Sequence, residues 1–188
     1  MCPESIENKD IRVYECVDFP LKWKLSKILM SNISTVDTMI FERDGLWWLF
    51  TNIDPTNTGR FESELFIFYS DNPLGEEWHP HPKNPVLMDS AKGRNGGVLY
   101  DDKWVYRVAQ KQGFKVYGKG FSINKITVLN KYDYEETEVC AVEPKFFPRL
   151  IGCHHLYSNG DIVVFDYLAL RGTTQVLRAE KNQTGGAE

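Results

Sequence analysis

The chain has 188 residues, 42% of them apolar, and 22 basic against 26 acidic side chains give it a net charge of −4. Charges of both signs are interspersed, so no basic patch marks a nucleic-acid or anionic-membrane partner. No run approaches the ~18 consecutive apolar residues of a transmembrane helix, and the opening MCPESIENKD lacks the charged and apolar regions of a signal peptide.

Taken in chain order, Ile11–Glu15 reads as a first strand, followed by a turn through Asp18 and Pro20 to Trp23. Three hairpins follow: Val36 to Asn52 around Asp44-Gly45, Asn95 to Gln110 around Asp101-Asp102, and Cys153 to Leu168 around Asn159-Gly160. Each is an apolar run, a two-residue turn and an aromatic, β-branched run. Glu64–Ser70 supplies a third strand after the first hairpin, and an NPLGEEW turn leads from it to Trp78. In the next unit the corresponding runs are Gly120–Asn124, Ile126–Leu129 and Tyr134–Val139. The segment from about Gln175, ending KNQTGGAE, is polar and glycine-rich and reads as a flexible tail over 175–188.

Subtracting positions 44, 101 and 159, the turns recur at intervals of 57 and 58 residues, and Trp23 and Trp78 stand 55 apart. That is the length of a large propeller blade, with about four short antiparallel strands per unit. The expected fold is therefore all-β, a β-propeller fragment of about three blades. The bounds are a half blade over 1–35, blades over 36–90 and 91–147, and a partial blade over 148–174. A β-sandwich also has short strands with regular turns, but it does not require the long period. Trp47, Trp48, Phe66 and Phe68 are expected to pack between blades. Cys2, Cys16, Cys140 and Cys153 have no metal-ligand spacing and read as reduced thiols, and no metal or other cofactor is expected. The sequons at Asn32 and Asn182 are short enough to be chance matches.

DGLWWLFTN followed by ELFIFYSDNPLGEEWHPHPKNPV resembles the five-bladed propeller domain of the glucosamine inositolphosphorylceramide transferase N-terminal type. That domain is related in fold to family-43 and family-32 glycosidases. The resemblance continues through Tyr106, Arg107, Ala109 and Gln110, then YGKGFSINKI, Tyr134-x-Glu136, and Gly152 with His154. It places Met1-Cys2-Pro3-Glu4-Ser5 on an inner strand of a second blade, so Met1 resembles an internal methionine and an N-terminal truncation is expected. On that reading the cellular location is unknown: the cytoplasm is the default, since an upstream signal would be missing.

Inner strands of a propeller line its channel, and the polar residues that open them converge on the axis. These are Asp37, Arg94, Asn95 and His154, with Glu4 from the incomplete unit; Arg107 and Gln110 follow from the resemblance. Each also has a structural reading, such as capping a strand end. Asp37 and Glu4 are the candidate acid/base residues, and Arg94, Asn95, Arg107, Gln110 and His154 the candidate substrate contacts. His154 and His155 alternate along a strand, so one faces inward; the resemblance selects His154, with Asp166 either its support or a solvated strand residue. Gly93-Arg-Asn-Gly-Gly97 lacks the ending of a phosphate loop and lets a backbone approach a sugar or a neighbouring strand.

Three readings of function follow. One is a carbohydrate-active enzyme, hydrolase-like or part of a glycosyltransferase, acting on a glycosyl substrate. Another is a non-catalytic module that binds a glycan or glycolipid, and the third is a protein-interaction propeller. Glu4 and Asp37 are an incomplete carboxylate set, so the isolated chain is expected to be inactive. It is also expected to self-associate through open blade edges.

Overall fold

A computed structural model of the chain describes residues 1–170 except 57, 62, 114, 115 and 159–161. The Asn159-Gly160 turn, the tail over 175–188 and the Asn182 sequon lie outside the described residues.

The described residues form antiparallel β-sheets with one short 3-10 turn, Ile6–Asn8. The first sheet pairs β1 (Asp10–Asp18) with β2 (Lys22–Ser31), and Met1 exchanges backbone hydrogen bonds with Tyr14 on β1. The second runs β3 (Thr35–Arg43), β4 (Leu46–Ile53), β5 (Glu64–Ser70) and β6 (His79–Pro80). A further short strand, β7 (Leu87–Met88), also pairs with β5. The third is β8 (Asn95–Tyr100), β9 (Val105–Gly113), β10 (Val116–Leu129) and β11 (Tyr134–Val142), in that order. Beyond it lie two small pairs, β12 (Leu150–Gly152) with β15 (Leu168–Ala169), and β13 (Leu156–Ser158) with β14 (Val163–Phe165). The fold is that of a β-propeller.

Sequence and structure agree at the first hairpin. Asp44 and Gly45 both take positive φ, 55° and 78°, as the two-residue turn of a right-twisted hairpin requires. The second connection differs. It spans the four residues between β8 and β9, because the Asp101 carboxylate accepts hydrogen bonds from the N–H groups of Lys103 and Trp104. The runs Gly120–Asn124 and Ile126–Leu129 are one strand, β10, with a register shift between Ile126 and Val128.

Successive side chains of a strand point in opposite directions, so a strand buried between two sheets carries apolar residues on both faces. On β4, Trp48 and Phe50 face the third sheet, where they join Val98, Val105, Ile126 and Leu129. Leu49 between them faces the other way, toward Ile11 and Leu29 of the first sheet. Phe68 and Trp78 pack in that same first interface, whereas Trp47 and Phe66 are half-buried. The third sheet presents Val108 and Phe121 to Cys153 and Leu156 of the small pairs. Trp23, one repeat before Trp78, stands 36% exposed, and other apolar side chains of the outlying parts are more so, among them Val163 and Phe165 on β14 and Leu21 in the β1–β2 turn.

Phe50 is fully buried and stacks edge-on against Tyr134 with ring centroids 5.5 Å apart. Phe50→Ala is expected to cost about 3–5 kcal/mol in urea unfolding. Leu21→Ala, on an exposed turn, should change stability by less than about 0.5 kcal/mol.

Candidate functional site

Three strands, β3, β8 and β13, each from a different sheet, lie side by side. Arg94 and Asn95 meet Asp37, Gly96 meets the carbonyl of His154, and Gly97 meets that of Leu156. A cleft of about 500 Å3 lies beside these contacts, lined in part by Cys2, Thr38, Gly97, His155 and Tyr157, so that residues next to Asp37 and His154, rather than those two or Arg94, form its wall. The glycines of the run serve the neighbouring strand: a Cβ on Gly97 would sit 2.1 Å from the Leu156 carbonyl oxygen.

Asp37 owes its position to a bulge. Val36 pairs with Asn52 and Met39 with Phe50, which leaves Asp37 and Thr38 opposite Thr51 alone. Asp37 accordingly takes φ +52°, a left-handed conformation uncommon outside glycine. The Thr51 hydroxyl fastens the bulge, contacting the Val36 carbonyl at 3.2 Å and the Thr38 hydroxyl at 2.8 Å. So presented, the Asp37 carboxylate accepts a 2.5 Å hydrogen bond from Arg94 Nε, with both side chains partly exposed, at 21% and 16%.

Beneath this pair lies a buried polar network. Asn95 donates from its backbone N–H to Asn52 Oδ1 at 2.9 Å and from Nδ2 to the Asp37 carbonyl at 3.1 Å. Gln110 Nε2 donates to the Asn95 carbonyl at 2.5 Å. Arg107 is fully buried and forks onto Glu136, Nε to Oε2 at 2.7 Å and Nη2 to Oε1 at 2.6 Å. It also donates to the Lys92 carbonyl at 2.8 Å and to Asn95 Oδ1 at 3.3 Å. Tyr134 adds its hydroxyl to Glu136 Oε2 at 2.5 Å. Asn95, Arg107 and Gln110 were expected to touch a substrate. The structure buries all three side chains and engages them in these internal hydrogen bonds.

The other expected residues divide. His154 Nδ1 meets the Asp166 carboxylate, whose Oδ1 also accepts from the backbone N–H groups of His154 and His155 at 2.9 and 2.6 Å. It is His155 that lines the cleft. Burial pushes the His155 imidazole below its ordinary pKa and the neighbouring His154 acts in the same direction, against the charges of Asp166 and Asp37. A neutral ring offers one donor and one acceptor. Glu4 is exposed just before the 3-10 turn and does not line the cleft. Glu136 was visible in the sequence only as part of Tyr134-x-Glu136, a spacing that sets both side chains on one face of a strand. Among the described residues no cluster of His, Cys, Asp or Glu is arranged to hold a metal ion.

Burial opposes ionisation of Glu136, but Arg107 and the Tyr134 hydroxyl outweigh it and hold the carboxyl below the usual glutamate range. A depressed carboxylate contributes stability that is present above the unfolded-state value of about 4.3 and lost as pH falls through the folded one. Acid unfolding followed by circular dichroism should therefore lose stability below about pH 4.3. Glu136→Gln should flatten that part of the profile and cost about 3–5 kcal/mol at neutral pH, since it leaves Arg107 buried and unpaired.

The likeness to known proteins is consistent with this geometry. Residues 1–145 match the family model described as glucosamine inositolphosphorylceramide transferase 1, N-terminal. Glucosamine inositolphosphorylceramide transferase 1 of Arabidopsis thaliana is 42% identical over 144 residues, and that of Oryza sativa subsp. japonica 38% identical over 143. Each alignment covers 74% of this chain but only 18% and 19% of the respective relative, so the chain spans about a fifth of their length. Among solved structures, an exo-β-1,3-galactanase of Phanerochaete chrysosporium superposes with a TM-score of 0.57 at 12% identity, covering 87% of this chain and 38% of that one. An α-L-arabinofuranosidase of Lactobacillus brevis gives 0.55 at 14% identity, covering 88% and 58%. Likeness at such identities speaks to the fold, whereas the match over 1–145 speaks to descent: the chain belongs to the glucosamine inositolphosphorylceramide transferase N-terminal family.

Proposed function

We propose that this chain is a glycan-recognition propeller that holds the sugar-bearing headgroup of an inositolphosphorylceramide-type glycolipid for a glycosyl-transfer reaction. The observation that carries this reading is the Asp37–Arg94 pair, presented on a left-handed bulge beside a cleft that several inner segments share. A carboxylate and a guanidinium side by side accept from and donate to adjacent sugar hydroxyls, and a neutral His155 extends the same chemistry. The names of the relatives supply the ligand class.

Binding is favoured over hydrolysis by what the carboxylates do. Cleavage of a glycoside needs two carboxyl groups facing each other across the bond. Asp37 is engaged by Arg94, and Asp166 by His154 and two backbone N–H groups. Asn95, Arg107 and Gln110 then act as positioning residues that fix the backbone under the site. The exposed apolar side chains of the outlying sheets favour association of the isolated chain with itself, which sedimentation velocity at rising concentration measures.

Calorimetric titration with glucosaminyl inositol phosphate should show binding that Asp37→Asn weakens roughly tenfold to a hundredfold, the worth of a charged hydrogen bond. The melting temperature should change little. Binding unaffected by Asp37→Asn and by Arg94→Ala alike would sink the assignment. Turnover of aryl glycosides that disappears in Asp37→Asn would replace recognition with hydrolysis.

A further inference from the structure

A second cleft, of about 340 Å3, opens on the third sheet and is lined by Lys92, Lys111 and Lys119 together with Glu138 and Glu143. Lys111 on β9 pairs with Gly120 on β10, and Lys119 precedes that glycine at a register shift that interrupts the regular alternation of faces. Both lysines border the cleft and act on the Glu143 carboxyl. Gly120 lets β11 close in, since a Cβ there would lie 2.5 Å from the Val142 carbonyl oxygen. Lys92 is held by its own backbone, whose carbonyl accepts from the buried Arg107 at 2.8 Å.

The charges in this cleft are loosely matched. Lys111 Nζ is 3.4 Å from Glu138 and Lys92 Nζ is 4.0 Å from Asp89. Glu143 is ion-paired with Lys145, and Lys119 and Lys111 add their fields to hold its carboxyl below the usual range. Three lysines against two glutamates leave the lining one charge positive, in a chain whose net charge is −4. Surface carboxylates at such distances contribute little and yield readily to a stronger anion. The cleft also adjoins the first site. Lys92 stands two residues before Arg94, a backbone span of at most about 7 Å, and the Gln110 N–H, next to Lys111, donates to the Arg94 carbonyl at 2.8 Å.

We propose that Lys92, Lys111 and Lys119 form an anion subsite for a phosphate ester, beside the Asp37–Arg94 site. The proposal deepens the glycan-recognition reading, giving the sugar to Asp37 and Arg94 and the phosphate to the lysines. Three ammonium groups around one cleft suit the several acceptor oxygens of a phosphate, and such binding weakens as salt rises.

The test is calorimetric titration of the full 188-residue chain with myo-inositol 1-phosphate, inorganic phosphate and myo-inositol. The ester should bind at least roughly tenfold tighter than myo-inositol, and Lys111→Ala/Lys119→Ala should remove that advantage. Lys83→Ala, at a lysine paired with Asp133 elsewhere on the surface, should leave it intact. Inorganic phosphate binding as tightly as the ester would identify a free-phosphate site, and preference for the ester a headgroup site; both uphold an anion subsite. Equal binding of myo-inositol and its phosphate, no binding of either anion, or an undiminished double variant would overturn it. Asp37→Asn should retain the phosphate advantage, so failure of the sugar reading and failure of this one remain distinguishable.

Discussion

A propeller sheet has two faces, and both must be kept from water. That constraint governs most of this chain. A strand satisfies it only by being apolar at odd and even positions alike, with each set committed to a different neighbour. β4 is the clearest case, with Trp48 and Phe50 turned to the third sheet and Leu49 to the first. No sheet is then stable on its own terms, and the core is a series of interfaces rather than a single interior. The buried ion pair of Arg107 and Glu136 sits in one of these interfaces, where the bidentate geometry and the Tyr134 hydroxyl offset the cost of removing two charges from water.

The candidate site arises where the regular pattern is broken. The bulge on β3 gives Asp37 its left-handed backbone, and a matching register shift between Asn95 and Gly97 lies at the head of β8. Regular pairing through these positions would direct side chains only toward the neighbouring sheets. At these two irregularities Asp37 and Arg94 meet, with part of each side chain still in solvent. A left-handed aspartate costs of order 1–3 kcal/mol, which the surrounding threonine hydroxyls and strand pairing offset.

Much of the architecture was legible in the sequence because turns and periodicity are local signals. Asp44-Gly45 announces its own conformation, and the alternating apolar runs on either side of it announce the strands. The Asp101 loop was misjudged because a side-chain carboxylate closing a four-residue turn leaves the same letters as a tight one. The site was less legible, for a different reason. Whether Arg107 reaches solvent or a buried partner depends on Glu136, almost thirty residues away, and on which face of β9 it occupies. His154 and His155 are likewise indistinguishable by type. The choice between them is made by Asp166, which ties up the first and leaves the second beside the cleft.

The close approach of β13 to Gly96 and Gly97 bears on how such a site can diversify. The contact is made by main-chain carbonyls, of His154 and Leu156, against positions that have no side chain. The spacing at this contact is therefore set by backbone, while Leu156 of β13 packs its side chain against the third sheet and leaves 155 and 157 free of that duty. Substitutions at 155 or 157 alter the chemistry of one wall of the cleft while the spacing between walls stays fixed by the glycines. One partner in the contact is frozen and the other is left open to variation, so ligand preference can drift across a lineage without disturbing the frame.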